Sequence, residues 1–357
     1  MIELYFFYIT IISVVLLSFF ILHFSSSKKA EKKSFSLSEI TVLIPFKNEE
    51  KKLPKLLSAM EKQHQLPKSI IFIDDHSSDN SVQIIKKWVK HNKGTLIQLE
   101  SNVTGKKRAI RKGVEISNST YCLTLDADTW FQKVFFYSIE KTTQTDLQIR
   151  PVVMEGKTWI SRFFSTEHLF FNAFVFLASP FYNLTASGAN LIFNKKLFQE
   201  YSNLESNKNI ASGDDHFLLR DFQKQKLKIH AVATKESVVF TNSPTNWSDY
   251  FNQRSRWLGK TKKTTRFYEL ILGLFIAFYF LGGFFLIIGL LVKGFILVGL
   301  SVFLFRIFSD LLVYLFYSNK LNSNKNSLFI LLFQMFYPLV FLVVLITSFI
   351  QRNNWKK

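Results

Sequence analysis

The stretch ITVLIPFKNEE, which runs from Ile40 to Glu50, decides the fold that the sequence predicts. Its first part, ITVLIPF, is a nearly unbroken apolar run. Such a run is typical of a strand that is buried on both faces of a parallel sheet. The polar residues KNEE follow at once, so the strand is expected to end at Phe46 and to open into a loop.

Short apolar segments alternate with amphipathic helices after this first strand. The expected strands are Ser69–Asp75, Thr95–Leu99 and the segment Tyr121–Asp128. A helix that buries Leu53, Leu56, Leu57 and Met60 is expected before the first of them, and a helix capped by Asp79 that buries Val82, Ile85, Trp88 and Val89 is expected after it. A basic helix over about Lys106–Glu115 is expected to follow Thr95–Leu99. This alternation predicts an α/β fold with a mostly parallel, Rossmann-like sheet. No GxGxxG or P-loop follows the first strand, which argues against a dinucleotide or P-loop nucleotide site.

Polar residues gather where the predicted strands end. They are Lys47-Asn48-Glu49, Asp74-Asp75 and Asp126-Ala127-Asp128. In parallel sheets ligands bind beyond the carboxyl ends of the strands. Two carboxylates in an Asp-x-Asp pattern suit Mg²⁺ or Mn²⁺, which typically bridge to substrate phosphates. Each acidic pair alone is more often a turn or a helix cap than a site, and it is their ordered recurrence that favours a site.

The composition divides the chain into a polar and an apolar part. Of 357 residues 48% are hydrophobic, the mean hydropathy is +0.13, and the formal net charge is +19. Such an excess suits an anionic partner, namely nucleic acid, acidic lipid or a phosphorylated substrate. Cys122 is the only cysteine, which excludes a disulfide within this chain and a thiolate zinc site.

Four apolar stretches are long enough to span a membrane: Leu4–Phe24, Tyr268–Val292, Phe295–Tyr317 and Leu328–Ile350. The basic run KKAEKK follows the first, so we expect an uncleaved anchor with the central domain in the cytoplasm, in a bacterial inner membrane. The basic tail RNNWKK argues mildly against this topology. The expected domains are an anchor (1–25), a basic linker (26–38), a globular domain (39–266), three spans (267–350) and a tail (351–357).

Two further segments carry polar residues in apolar surroundings. Thr158–Asn183 is too apolar for a surface helix, but Arg162, Glu167 and His168 interrupt it, so we expect an interfacial helix rather than a span. Arg306 and Asp310 lie four residues apart on the third span and therefore share a face. We favour a structural pair over a transport role for these two residues.

The ordered set FKNEE, FIDDHSSDNS, GKKRAI, LDADT, SGAN, GDD and QRSRW resembles family 2 glycosyltransferases of the GT-A fold. The resemblance covers about Ile40–Trp257. It is nearest to the membrane-integrated members, such as cellulose and hyaluronan synthases and ceramide glucosyltransferases. The anchor, the central domain and the C-terminal spans agree with that layout. The motifs are specific as a set, although each one alone is not.

The resemblance implies a donor site and a metal. It assigns Pro45, Asn48, Glu49 and Asp75 to the nucleotide base and ribose, Lys106 to the diphosphate, Asp126 to the sugar and ribose, and Asp128 to Mg²⁺ or Mn²⁺. UDP is favoured over GDP because a carboxylate can accept a hydrogen bond from the uracil N–H. In the basic run that begins at Lys106, Lys107 and Lys112 are expected to lie on a solvated helix face.

The resemblance also implies a base and an acceptor site. Asp215 matches the general base, and Asp214 stands where the family usually has Glu, which leaves open which of the two acts. Ser187 and Gly188 would let the backbone approach the acceptor. Gln253, Arg256 and Trp257 match the family's Q-x-x-R-W motif and would share a helix face that meets the diphosphate or the acceptor. Arg254 occupies a variable position of that motif.

The leading hypothesis is therefore a membrane-bound, metal-dependent, inverting glycosyltransferase. It would move a sugar from a UDP-sugar to a lipid-linked or membrane-proximal acceptor, which is a lipid or a glycan. Processive polysaccharide synthesis is the alternative within the class. A non-enzymatic basic membrane protein that binds nucleic acid or acidic lipid is the distant alternative, since ordered carboxylates repel phosphate unless a metal is present. An inactive scaffold is disfavoured by the retained Asp128, Asp215 and Arg256.

Overall fold

A computed structural model describes residues 33–203, 213–261, 273–274, 276–323 and 327–350, together with Tyr5, Tyr8, Ile9 and Ile12. Contacts within the chain divide the described residues into two units. The sheet unit comprises residues 33–155, 178–203 and 213–242. The helical unit comprises residues 156–177, the described residues from 243 onward, and the four described residues near the N-terminus.

The sheet unit is built on a seven-stranded sheet. Its strands are β1 (Ile40–Phe46), β2 (Ser69–Asp74), β3 (Thr95–Gln98), β4 (Tyr121–Thr124), β6 (Leu147–Ile149), β8 (Leu191–Asn194) and β9 (Ile229–Ala231). A smaller sheet consists of β5 (Thr129–Phe131), β7 (Val152–Glu155) and β10 (Val239–Asn242). The order of the large sheet is β3-β2-β1-β4-β8-β6-β9. Only β8 runs antiparallel to its neighbours, so the sheet is mostly parallel, as predicted.

Helices cover this sheet. They are α1 (Leu53–Glu61), α2 (Ser81–Val89), α3 (Lys106–Ile116), α4 (Phe135–Glu140), α6 (Lys195–Tyr201) and α7 (Asp214–Lys224), with 3-10 turns at Leu37–Glu39 and Lys235–Ser237. The apolar faces predicted for α1 and α2 pack into one core with β1 and β2. Every residue of β1 is buried, as expected for a strand covered on both sides.

The predicted boundaries differ from the structure in three places. β2 ends at Asp74 and β3 at Gln98, one residue earlier than predicted, and β4 ends at Thr124, so the Asp-x-Asp motif lies in the turn that follows. Asn80, and not the predicted Asp79, occupies the N-cap position of α2, but the Asn80 side chain makes no capping hydrogen bond. The Asp79 carboxylate nevertheless accepts the backbone N–H of Ser81 in the first turn of α2, at 3.0 Å.

The helical unit contains α5 (Trp159–Ala178), α8 (Trp247–Thr261), a π-helical turn (Phe278–Gly282) that continues into α9 (Gly283–Val292), α10 (Ile296–Leu321) and α11 (Leu328–Ile350). By length and composition two helices could cross a membrane, namely Ile296–Leu321 and Leu328–Thr347; Phe278–Val292 forms a shorter apolar stretch. The predicted anchor and the start of the predicted second span lie mostly outside the described residues. At the described positions Tyr5, Tyr8, Ile9 and Ile12 the chain is helical.

The helical unit also includes two helices that the predicted boundary of 39–266 assigns to the globular domain. α5 packs its aromatic side chains on α8 and α11, for example Phe163 on Trp247 and Phe333. The Ser255 hydroxyl of α8 lies 2.9 Å from the hydroxyl of Thr347 in α11. Contacts thus group α5 and α8 with the C-terminal helices, while the domain limits drawn from sequence stay a prediction.

Arg306 and Asp310 both lie buried in α10 of the helical unit. The Asp310 carboxylate accepts hydrogen bonds from the Tyr279 hydroxyl, at 2.6 Å, and from the Gln334 amide. The Arg306 guanidinium lies over the ring of Tyr279, 4.9 Å from its centroid. The Asp310 carboxylate and the Arg306 guanidinium therefore both contact Tyr279, one at its hydroxyl and the other at its ring. This arrangement fits the structural role that the sequence favours.

Candidate active site

The carboxyl ends of β1, β2 and β4 bring the residues predicted to bind the donor and the metal to one edge of the sheet. β1 pairs in parallel with β2, with Phe46 opposite Asp74, and in parallel with β4, with Leu43 opposite Thr124. The loops that follow these strands carry the Asn48-Glu49, Asp75 and Asp126–Asp128 groups. Pro45 itself is buried within β1. The parallel arrangement therefore explains why residues far apart in sequence meet here.

The loops after β1 and β2 are joined by hydrogen bonds. Asn48 adopts a left-handed conformation, with φ of 54°, which asparagine tolerates better than most residues. Its backbone N–H donates to the Ser77 hydroxyl at 3.0 Å, and its side-chain oxygen accepts the Ser78 N–H at 2.8 Å. The Glu49 N–H donates to the Ser81 hydroxyl at 2.8 Å. The two loops thus form one rigid rim at the sheet edge.

Asp75 is buried at this rim with one carboxylate oxygen unsatisfied. Its Oδ2 accepts the backbone N–H of Gly105 at 3.0 Å, and Gly105 has a φ of 107° that favours glycine. Its Oδ1 is buried and has no hydrogen-bond partner. Leaving a buried acceptor unpaired costs about 1–3 kcal/mol. A ligand that offers an N–H or O–H donor at this point would remove that cost.

Lys106 connects two of the predicted acidic groups. Its Nζ lies 2.6 Å from Oδ1 of Asp126 and 3.6 Å from Oδ2 of Asp214. Burial lowers the pKa of the Lys106 ammonium, but the attraction of Asp126, Asp214 and Asp215 outweighs it, so the net shift of the pKa is upward. The lysine is therefore cationic at any physiological pH. It supplies a fixed positive charge at the point where α3 begins.

Asp128 lies beside a second lysine, which the sequence analysis did not identify. Its Oδ2 is 3.5 Å from Nζ of Lys52, and this ammonium also lies 3.1 Å from Oε2 of Glu49. About a third of the Asp128 side chain, 34%, remains exposed. Within the described ranges no three His, Cys, Asp or Glu side chains converge as a metal cage. The donor set therefore fits a divalent ion only if the substrate supplies the remaining ligands.

Asp215 lies at the N-terminus of α7, next to the loop that contains Ser187 and Gly188. Its Oδ2 accepts the Gly188 N–H at 3.1 Å, and its Oδ1 accepts the N–H of His216 at 2.7 Å. A Cβ atom on Gly188 would lie 2.6 Å from Oδ2 of Asp214. A side chain at this position would thus force the Asp214 carboxylate to shift. The predicted pair Asp214-Asp215 and the predicted acceptor loop are in direct contact.

The prediction that Lys107 lies on a solvated helix face is wrong. Its side chain is buried, and its ammonium lies over the ring of Phe217 in α7, 4.5 Å from the centroid. α3 and α7 therefore pack together through Lys107 as well as through the contact of Lys106 with Asp214. The neighbouring Lys112 is not buried, in keeping with the prediction for that residue.

The QRSRW motif lies on α8 of the helical unit, as a single helical segment. Gln253, Arg256 and Trp257 are each partly exposed, whereas Arg254, which the sequence analysis treated as a variable position, is buried. The Arg254 guanidinium pairs with Glu167 of α5 and lies 4.4 Å from the ring centroid of Trp257. The joint action of this motif with the carboxylates of the sheet unit stays a prediction.

The sequence does carry a signal that could have identified this pair. Glu167 is an acid within the apolar segment Thr158–Asn183, and a buried carboxylate requires a cationic or hydrogen-bonding partner. The partner itself lies 87 residues further along the chain, so no local pattern points to it. The neighbouring His168 is bonded to Asn172, with 3.2 Å between Nδ1 and Nδ2, and burial lowers its pKa to about 3. It is a satisfied polar group, as expected.

Comparisons with known proteins agree with this arrangement. Residues 41–201 match the model of the family described as glycosyl transferase family 2. A poly-β-1,6-N-acetyl-D-glucosamine synthase of Staphylococcus aureus (strain COL) is 32% identical over 120 residues, which are 33% of this chain and 29% of that protein. Its namesake from Staphylococcus epidermidis is 34% identical over 102 residues, 28% of this chain and 24% of that protein. The chain thus matches less than a third of these curated relatives' length.

One solved structure resembles the chain over its whole length. It is the mannosyltransferase PcManGT from Pyrobaculum calidifontis, in complex with GDP-Man and Mn²⁺. The likeness covers 99% of both chains, with a TM-score of 0.55 and 12% identity. At this identity it shows the fold alone. The predicted GT-A fold, a mostly parallel sheet with apolar helices in the C-terminal part, is confirmed.

Proposed function

Because the chain carries a domain of glycosyl transferase family 2, we propose that it is a membrane-bound, inverting glycosyltransferase that uses a nucleotide-sugar donor. The observation that carries the proposal is the position of Lys106. Its ammonium joins Asp126, at 2.6 Å, to Asp214, at 3.6 Å, and Asp215 lies next in sequence. A fixed cation between the two predicted carboxylate groups is suited to receive the diphosphate of a donor.

The donor is proposed to enter at the rim formed by the loops after β1 and β2. Asp75 would accept an N–H of the base through its unpaired Oδ1, and Asn48 and Glu49 lie on the same rim. A uracil N–H fits a single carboxylate oxygen, which favours a UDP-sugar over a GDP-sugar. Asp126 would contact the ribose and the sugar, held in place by Lys106.

Asp128 is proposed to hold the divalent ion, Mg²⁺ or Mn²⁺, together with the donor diphosphate. When bound, the ion stabilises the negative charge on the departing nucleoside diphosphate. Asp128 suits this role because it is partly exposed and because the cation beside it, Lys52, is itself 41% exposed and can move away. The solved mannosyltransferase of the same fold contains Mn²⁺.

Asp215 is proposed as the general base. Its carboxylate would take the proton of the acceptor hydroxyl as that oxygen forms a bond to the anomeric carbon. The bond from the anomeric carbon to the diphosphate oxygen breaks on the opposite face, so the configuration inverts and a nucleoside diphosphate leaves. Asp214 is less suited to be the base because it already faces Lys106.

The acceptor is proposed to be lipid-linked or presented at the membrane surface. The two helices long enough to span a bilayer, and α5 with its many aromatic side chains, support a location at the membrane, with the sheet unit in the cytoplasm where nucleotide-sugars are made. A processive synthesis is the second candidate. It is favoured by the likeness of part of the chain to a poly-β-1,6-N-acetyl-D-glucosamine synthase.

The proposal is tested by nucleoside diphosphate release from the full chain in membranes. UDP- and GDP-sugars are supplied with Mn²⁺ or Mg²⁺ and a membrane lipid extract, for the wild type and for Asp215→Asn and Asp128→Ala. Glu61→Gln, which removes an exposed acid of α1, is the matched control. Release from one donor that requires the metal and disappears in both variants, but not in the control, is the expected result.

Product size separates the two candidates. A single sugar on an extracted lipid supports transfer to a lipid-linked acceptor, and a polymer of many residues supports processive synthesis. If no donor is turned over, and UDP or GDP with Mn²⁺ also fails to raise the thermal stability of the wild type, the nucleotide-sugar proposal is overturned. The basic-protein alternative would then predict binding of nucleic acid or acidic lipid without any metal requirement.

A further inference from the structure

Helix α7 carries the proposed base at its start and holds a neighbouring loop through its second half. Arg220 is buried on α7, and its Nη1 donates to the Tyr182 hydroxyl and to Oε1 of Gln223, the latter at 2.8 Å. The Tyr182 hydroxyl donates to the same Gln223 oxygen at 3.0 Å. The Gln223 amide donates to the carbonyl of Asn183 at 2.8 Å. We refer to Tyr182, Asn183, Arg220 and Gln223 as the clamp.

The clamp holds the start of the loop over residues 182–188, which leads into the proposed acceptor site. Five residues beyond Asn183 the chain reaches Gly188, whose N–H donates to the Asp215 carboxylate at 3.1 Å. Two residues later the amide of Asn190 donates to the carbonyls of Pro151 and Ser237, each at 2.9 Å. The segment from the clamp to β8 is thus fixed at both ends and touches Asp215 in between.

Two residues of the clamp, Arg220 and Gln223, lie on the same helix as the proposed base. Arg220 follows Asp215 by five residues of α7, a distance of about 7.5 Å along a helix axis at ~1.5 Å per residue. Residues 182–188 therefore move with the base rather than independently of it. Small errors in the position of a reacting hydroxyl can lower a rate ~100-fold, so this linkage matters for transfer more than for donor binding.

We propose that Arg220 is a positioning residue that holds residues 182–188 on the helix of the base, so that an acceptor hydroxyl meets Asp215. This inference rests on the proposed function, because it assumes that Asp215 is the base and that the loop at Gly188 lies under the acceptor. Arg220 donates to the Tyr182 hydroxyl, to Oε1 of Gln223 and to the carbonyl of Leu184, which lie in the loop or on α7 itself. Its replacement therefore affects the acceptor step selectively.

Activity measurements on four variants test the positioning role. They are Arg220→Met, Arg220→Lys, Tyr182→Phe and the double variant Arg220→Met/Tyr182→Phe, with Lys224→Gln as the control for an exposed cation on the same helix. With a membrane lipid extract as the acceptor probe, Arg220→Met is expected to lower kcat/KM for the acceptor at least tenfold. The thermal shift given by UDP with Mn²⁺ is expected to stay unchanged. Arg220→Lys should recover part of the loss, since lysine can reach one of the two acceptors.

The double variant shows whether Arg220 works through the tyrosine. If both residues act through their mutual contact, the double variant loses no more than twice what Arg220→Met loses. Losses that multiply would show that Arg220 acts elsewhere and would overturn the inference. A fall in UDP binding parallel to the fall in transfer would also overturn it, because a general structural defect affects both steps.

Hydrogen exchange provides a readout that needs no sugar donor. In the nucleotide-free protein the amides of Gly188 and Asn190 are hydrogen-bonded to Asp215 and to the Ser187 carbonyl. Arg220→Met is expected to speed their exchange at least tenfold, and Lys224→Gln to leave it unchanged. A wild type that turns over no donor and gains no thermal stability from UDP or GDP with Mn²⁺ would overturn the proposed function, while the clamp remains measurable. Unchanged exchange in Arg220→Met overturns the clamp even in an active enzyme.

Discussion

Glu167 of α5 and Arg254 of α8 form a buried, bidentate ion pair within the helical unit. Nε of Arg254 lies 3.2 Å from each carboxylate oxygen, and Nη2 donates to Oε2. The Tyr250 hydroxyl adds a further hydrogen bond to Oε1 at 3.2 Å. The guanidinium also lies over the ring of Trp257. The pair therefore joins α8 to α5 within the QRSRW segment.

Glu167→Gln is expected to destabilise the protein by about 3–5 kcal/mol, because it leaves the Arg254 charge buried without an anionic partner. Burial lowers the pKa of Arg254, but the charge of Glu167 and the hydroxyl of Tyr250 raise it by more, so the guanidinium stays protonated. Thermal unfolding in detergent, followed by circular dichroism, measures the loss. Glu236→Gln, which affects an exposed pair with Lys235, should change the unfolding temperature little.

The double variant Glu167→Leu/Arg254→Met provides the contrasting outcome. Replacing a buried pair by apolar groups of similar volume is often neutral or stabilising, so the double variant should be more stable than Glu167→Gln. If the double variant were less stable than the single one, the cost would lie in lost packing around Trp257 and Tyr250 and not in the uncompensated charge.

The sequence predicts most of the sheet unit because each strand and its polar end are visible within a few consecutive residues. ITVLIPF is a buried strand, and the carboxylates at the strand ends of a parallel sheet necessarily share an edge. The errors lie where a partner is distant in sequence. Lys107 looked solvated because Phe217, on which it packs, lies more than a hundred residues away. The role of Lys52 is not predictable from sequence, because its contact with Asp128 joins two loops that are far apart in the chain.

A fall in pH is expected to weaken the fold through His168. Burial, and then the positive charge of Arg254, lower the pKa of His168 to about 3, against about 6.5 in the unfolded chain. Between these values the unfolded chain binds a proton that the folded protein does not bind. The free energy of unfolding therefore falls as pH falls through this window, by about 2 kcal/mol between pH 6.5 and pH 5.

Unfolding temperatures measured at several pH values, for the wild type and for His168→Gln, isolate this contribution from those of the other titrating groups. The variant should lose the part of the pH dependence that lies below pH 6.5. An identical pH dependence in both proteins would mean that His168 is protonated in the folded state as readily as in the unfolded chain.

Lys52→Met is expected to strengthen Mn²⁺ binding in the presence of UDP. The Lys52 ammonium lies 3.5 Å from the Asp128 carboxylate and competes with any cation that approaches it. Two unit charges about 4 Å apart in water interact by about 1 kcal/mol, so the apparent Kd for Mn²⁺ should fall by about fivefold. Electron paramagnetic resonance of free Mn²⁺ measures the change, with Lys51→Met as the control on the neighbouring exposed lysine. Weaker Mn²⁺ binding would instead show that Lys52 helps to hold the diphosphate.

Gly188→Ala is expected to slow transfer while leaving the fold and the donor site in place. A Cβ atom at this position would lie 2.6 Å from Oδ2 of Asp214 and 3.4 Å from Nζ of Lys106. Asp214 must therefore move, and the Gly188 N–H that binds Asp215 moves with the loop. We expect a loss of at least tenfold in transfer and less than a twofold change in the affinity for UDP with Mn²⁺. Gly105→Ala serves as a contrast, because its φ of 107° strains the loop that supports Asp75 and should weaken nucleotide binding first. Equal losses of UDP binding in both variants would mean that the loop at Gly188 belongs to the donor site and not to the acceptor site.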